Sequence, residues 1–130
     1  MPKDAAIIDH GAGTGMAARF LVKEGFTNLV ALDGSGGMLE VAKKEGNYKE
    51  YHEVFLGIGK LPEELKGRFH VAMCVGLFVQ SHVPPSCIGE MIETMKGEKG
   101  DVLIFAIRDD SYLVHGFKEY LDKLEDEGRI

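Results

Sequence analysis

Along the chain, short apolar runs alternate with amphipathic stretches, the pattern of βα units stacked on a parallel sheet. Ala5 to Asp9 predicts a first strand with Ile7 and Ile8 buried, and Gly11 to Gly15 a glycine turn. A helix from about Gly15 to Glu24 follows, its face formed by Ala17, Ala18, Leu21 and Val22, with Gly25 suited to end it. Leu29–Leu32 predicts a second strand ending at Asp33, then a helix carrying Met38, Leu39, Val41 and Ala42 that Gly46 closes. Tyr51 to Leu56 predicts a third strand, and Pro62 to Leu65 a surface turn or a single helical turn.

Val71–Val75 is continuously apolar, as a central parallel strand should be. Pro84 and Pro85 suit the start of the next helix, whose stripe is Ile88, Met91, Ile92 and Met95. Val102–Ile107 predicts a fifth strand, and a final helix from about Gly116 to Glu127 presents Phe117, Tyr120, Leu121 and Leu124. With no internal repeat or linker, residues 1–130 read as one domain.

Composition changes this picture little. The chain is 45% hydrophobic and 28% charged, an ordinary globular balance. A formal net charge of -6 argues against a general grip on a phosphate backbone, so no nucleic-acid partner is expected. Cys74 and Cys87 make no disulfide framework and read as buried thiols, and no Cys/His cluster has metal-ligand spacing, so no metal is expected. The longest apolar run near the start, Ala5–Ile8, is too short for a membrane span. The expectation is a soluble cytoplasmic protein.

The chemistry concentrates in Asp9-His-Gly-Ala-Gly-Thr-Gly15. Glycines between a strand and a helix let the backbone approach a ligand where any Cβ would clash. They also present the helix start to a ligand carboxylate or phosphate. Asp9 adds an acceptor for an ammonium group, which an amino acid carries and a pyrophosphate lacks. Eighteen residues past Gly15, Asp33 reaches the same sheet edge, where an acid can accept bonds from both ribose hydroxyls. Met38, one helical turn on, is placed to lie on an adenine face.

These segments resemble class I S-adenosyl-L-methionine (SAM) dependent methyltransferases. The first looks like that family's motif I, an acid followed by G-x-G-x-G. Leu32 to Ala42 is similar to its second signature, D-x-S followed by M-L-x-x-A. Phe69–Gly76 and Lys96–Ile104 resemble the fourth-strand segment and the turn before the fifth strand. Asp33-Gly-Ser35, Val75-Gly76 and Val83-Pro84 together resemble the Williams–Beuren-region methyltransferase-like branch.

The resemblance implies an α/β, Rossmann-like three-layer sandwich with a mainly parallel five-strand sheet in the order 3-2-1-4-5. It also implies SAM as cofactor, held at its methionine part by Asp9, Gly11, Ala12, Gly13, Thr14 and Gly15. Asp33 would take the ribose, and Gly34, Ser35 and Met38 would shape the adenine side. Gly57 and Ile58 would flank the base, and Val75 and Gly76 would line the donor's reactive end. Methyl transfer to a small-molecule acceptor is the activity implied.

Several positions depart from the family. Gly57 stands where it often has an acid for the adenine amino group, His70 where it commonly has Asp, and Glu98-Lys99 interrupt its Pro-Gly turn. The pattern predicts neither the family's leading helix nor its last two strands. The fifth strand would then have an open apolar edge, suited to pairing with a second copy.

Two other readings share the residues. One is a SAM-binding remnant or regulatory module without turnover. The other is an NAD(P)-binding oxidoreductase fragment, since Gly13-Thr-Gly15-Met-Ala-Ala18 also satisfies G-x-G-x-x-A. For catalysis, His82 faces the donor end in a loop but reads first as a solvent-facing histidine. His10 reads equally as a loop-orienting or a surface residue.

Overall fold

A computed structural model of the chain describes residues 1–57, 59, 61–75, 85–106 and 117–129. Five parallel strands form one sheet: β1 (Ile7–His10), β2 (Leu29–Asp33), β3 (Glu50–Glu53), β4 (Val71–Cys74) and β5 (Val102–Phe105). Their order is β3-β2-β1-β4-β5, as the resemblance implies. Chain connections diverge between β1 and β4, and in such sheets ligands bind outside the strands' carboxyl ends at that divergence.

The layers follow from alternation along the strands, since successive side chains point to opposite faces. Ile7, Leu29, Ala31, Val71 and Met73 pack on one face with Ala18, Leu39 and Ala42. Those last three come from α1 (Met16–Lys23) and α2 (Gly36–Glu45). Ile8, Val30, Leu32, Ala72 and Cys74 pack on the other face with Cys87, Ile88, Met91 and Leu124, which come from α3 (Ser86–Glu93) and α4 (Phe117–Asp126). A 3-10 turn at Glu63–Leu65 buries Leu65 in this second layer.

Boundaries differ from expectation by one to three residues. β1 begins at Ile7 rather than Ala5 and carries His10 as its last residue. β3 is Glu50–Glu53, earlier than the expected Tyr51–Leu56, because Lys49 N–H bonds Leu29 O and Val54 N–H bonds Asp33 O, fixing the register against β2. Val22, expected on the apolar face of its helix, is exposed, as are Val41 and Met38. The helix faces are therefore narrower than their apolar content. Cys74 and Cys87 are buried, as expected, and burial pushes the Cys87 thiol up to about 12.

At the amino ends of the strands His70 takes the place of an acid and is clipped by Asp101. Its Nδ1 lies 2.8 Å from Asp101 Oδ1, while Asp101 Oδ2 accepts from Glu98 N at 2.9 Å, closing the turn before β5. Among the described residues, no helix is long and apolar enough to cross a membrane.

Candidate functional site

The site is built at the carboxyl ends of β1 and β2. Gly11, Gly13 and Gly15 all have positive φ (68°, 59° and 91°), so the turn after β1 is one that residues with a Cβ adopt only at a cost. The turn is held inward. Gly11 and Ala12 N–H both donate to Leu32 O, and Gly13 N–H donates to Asp33 Oδ2 at 2.8 Å. A Cβ on Gly13 would meet no atom of the described residues within 4 Å, whereas one on Gly15 would sit 3.3 Å from the Tyr48 ring. The loop thus has one face open and one face packed.

Asp33 is the junction of the site. Its Oδ1 accepts from Ser35 N at 2.8 Å while Oδ2 holds Gly13. The carboxylate therefore stands fixed before any ligand arrives. Each oxygen retains a lone pair for a further donor.

Ser35, expected on the adenine side, is used as the N-cap of α2, its Oγ accepting from Met38 N at 3.2 Å. Helix α1 has no such cap: Gly15 offers no side chain, so its first-turn amides lack a side-chain acceptor. An uncapped helix start beside an open glycine face is suited to an anion.

Asp9 projects to the same side of the sheet as Asp33 and is only 3% exposed. Tyr48, from the loop between α2 and β3, donates its hydroxyl to Asp9 Oδ2 at 2.6 Å. Burial raises the Asp9 carboxyl to about 6; the Tyr48 bond opposes that rise and the nearby Asp33 charge adds to it. The two carboxylates feel one another.

His10, one residue on, turns to the opposite layer and is completely buried, which corrects the surface reading. Its Nε2 lies 3.3 Å from Thr94 Oγ1. The Thr94 hydroxyl donates to Met91 O, so His10 Nε2 must be the donor to it, leaving Nδ1 as a buried atom without a partner among the described residues. Burial drives the His10 imidazole down to about 3, so it is neutral.

Where the sequence places the adenine, the described residues are apolar and exposed. Met38 is 46% exposed and Phe55 63% exposed, and a Cβ on Gly34 would come within 2.5 Å of the Phe55 ring. Phe55 therefore lies directly against the turn after Asp33. Val75, exposed just past β4, stands at the same sheet edge. Gly57 has a φ of 89° and gives its N–H to Glu90 of α3. Ile58, Gly76 and His82 lie outside the described residues.

Sequence reasoning thus missed Tyr48, Phe55 and Glu90. Glu90 alone left a signal. It lies three residues after Cys87 and four before Thr94, on the buried helix face, where a carboxylate needs a reason.

A separate cleft of about 550 Å³ lies at the other end of the sheet, lined by Asp4, Ala5, Asn28, His70, Lys96 and Asp101 among others. It has neither the glycine turn nor a strand-end acid, and in open α/β sheets ligands bind at the carboxyl edge. The functional assignment stays with the carboxyl edge.

Residues 7–97 match the model of a family described as a methyltransferase domain. The chain is 35% identical to human methyltransferase-like protein 27 over 129 residues, covering 98% of this chain and 51% of that protein. A TehB-like SAM-dependent methyltransferase from Corynebacterium glutamicum superposes with a TM-score of 0.73 at 14% identity, covering 95% of this chain and 66% of that one. A SAM-dependent methyltransferase from Mesorhizobium loti gives 0.66 at 19% identity, covering 87% and 52%. The chain spans about half the length of the curated relative. With the glycine turn, the strand-end acids and the 3-2-1-4-5 sheet in place, the chain belongs to the methyltransferase-domain family and has its class I fold.

Proposed function

We propose that this chain binds SAM at the carboxyl edge of its sheet and methylates a small-molecule acceptor. The observation that carries the reading is Asp33, held by the amides of Gly13 and Ser35 beside an uncapped helix start. One carboxylate so placed serves two vicinal hydroxyls. The uncapped amides of α1 suit a carboxylate, and Asp9, when ionised, suits an ammonium. Met38 and Phe55 offer apolar surface for a base. A dinucleotide would satisfy Asp33 but bring no cation to Asp9.

SAM, when bound, supplies a methyl group already activated as a sulfonium. The protein's share is alignment of acceptor and donor and exclusion of water, so a general base is optional. An acidic surface, with a formal net charge of -6, favours a small acceptor over nucleic acid. Two cysteines make no disulfide framework, which suits a reducing compartment such as the cytoplasm.

Calorimetric titration with SAM, S-adenosylhomocysteine and NAD tests the reading. Both adenosyl ligands should bind, with dissociation constants on the order of micromolar, about -8 kcal/mol, while NAD gives no heat. Binding of NAD alone, or of none of the three, would overturn it.

The edge strand β5 leaves Val102 and Ile104 exposed on one face. Among the described strands nothing pairs with the outer edge of β5; an open apolar edge favours pairing with a second copy, so light scattering should report a dimer at high protein concentration. A monomer there removes the dimer.

A further inference from the structure

We propose that His70, Glu98 and Asp101 form a binding site for a zinc ion at the amino edge of the sheet. The site lies at the edge opposite the one proposed for SAM, and neither reading depends on the other. One potential ligand atom from each of the three side chains lies within 4.8 Å of the other two. His70 Nδ1 is 2.8 Å from Asp101 Oδ1 and 3.8 Å from Glu98 Oε2. Ligand atoms on a tetrahedral zinc ion stand about 3.4 Å apart, so these two spacings bracket the required one and side-chain shifts of about half an ångström would admit the ion. A bare hydrogen bond between His70 and Asp101 would need neither Glu98 nor open space beside it. Here both are present, since all three residues line the cleft of about 550 Å³. That cleft supplies an entry path and room for water at the remaining coordination position.

The fold presents these donors before any ion arrives. His70 and Asp101 immediately precede β4 and β5, which pair in parallel with Val71 opposite Val102. Val102 N–H donates to His70 O and His70 N–H to Ala6 O, both at 2.9 Å, so the backbone here is tied into the sheet. Asp101 Oδ2 accepts from Glu98 N, which leaves Oδ1 for the imidazole. Such a bond is the outer support that orients a ligating carboxylate. The Asp101 side chain is only 7% exposed, and a cation offsets the water it has lost. The donor set also selects the ion: imidazole suits zinc, whereas magnesium and calcium take oxygen ligands. Two carboxylates balance the charge of one divalent ion. Lys96 and Lys99 line the same cleft but are exposed, where solvent screens them. His70 and Asp101 stand 31 positions apart, so the short ligand spacings by which a sequence betrays a metal site are missing here.

Calorimetric titration of the protein with zinc chloride, with no SAM present, tests the proposal. Wild type should bind one ion per chain with a dissociation constant on the order of micromolar, and should give no heat with magnesium or calcium chloride at the same concentrations. His70→Ala should weaken zinc binding at least about a hundredfold, and Asp101→Asn and Glu98→Gln about tenfold each. The Glu98 side chain is 61% exposed, so Glu98→Gln leaves the fold intact and decides the matter if another variant does not fold. Nuclear magnetic resonance of the histidine rings locates the ion: the His70 signals should shift on zinc addition while those of His10 and His52 stay in place. A wild type that binds no zinc, an undiminished affinity in Glu98→Gln, or shifts at other histidines with His70 unmoved would each overturn the proposal. Magnesium binding as tight as zinc would overturn it too, because the imidazole would then contribute nothing.

Discussion

Asp33→Ala should weaken S-adenosylhomocysteine binding by at least a hundredfold while the protein stays folded. The substitution removes the acceptor proposed for the ligand's hydroxyls, and it also frees Gly13, whose amide is tied to Oδ2 at 2.8 Å. Hydrogen bonds to a charged acceptor are worth about 1.5–3 kcal/mol each, so losing two reaches a hundredfold on that scale. The fold should survive because Asp33 is only partly buried, and the glycine turn keeps its two bonds from Gly11 and Ala12 to Leu32 O. Calorimetry and circular dichroism on the same sample separate the two effects. Unchanged affinity would show that this carboxylate does not receive the ribose.

Asp9→Asn should do the reverse for stability. Folding raises the Asp9 carboxyl from 3.8 to about 6, mainly through burial. The unfolded chain therefore releases this proton first as pH rises. The resulting penalty is absent below about pH 4, grows between there and pH 6, and is complete above it, at roughly 3 kcal/mol. Asparagine keeps an oxygen for the Tyr48 hydroxyl but cannot ionise. The variant should melt about 10 °C above wild type at pH 7.5 and close to it at pH 4.

His10 acts with the opposite sign. Its folded value is lowered to about 3, so its contribution is complete above pH 6.5 and is lost as pH falls towards 3. Between about pH 4 and 6 the two slopes cancel in wild type. Asp9→Asn should uncover the histidine slope and lose stability steadily below pH 6.5. Equal melting temperatures for the two proteins at pH 7.5 would show that the buried carboxylate costs nothing. The same variant should bind SAM more weakly, because its ammonium would face a neutral amide.

Both predictions concern residues that the sequence offers plainly. Asp9 and Asp33 stand at the ends of apolar runs, and the period-two alternation Ile7, Ile8, Asp9, His10 assigns each to a face before any coordinates are known. The sheet order was legible through the resemblance, because four segments occur in the family's sequence order. The partners of these acids were not legible. Tyr48 follows Gly46 in a short loop and meets Asp9 across 39 positions, a contact created by the packing of α2 on β1 and β2. Phe55 sits just past a strand that ends earlier than its apolar residues suggest, so it reads as strand interior yet is exposed. His10 shows the limit of local reading. A histidine beside three glycines reads as loop, whereas the strand runs one residue further and carries it into the core.

The end of α3 meets both the last residue of β1 and the loop after β3. Thr94 touches the histidine that precedes the glycine turn, and Glu90, four residues earlier, holds the loop after β3. Four residues of helix rise about 6 Å, and a helix of this kind neither stretches nor shortens. The spacing between the last residue of β1 and the loop after β3 is thereby gauged by a single rigid rod. A ligand of different length could be admitted only by moving the whole rod, which would loosen both ends together.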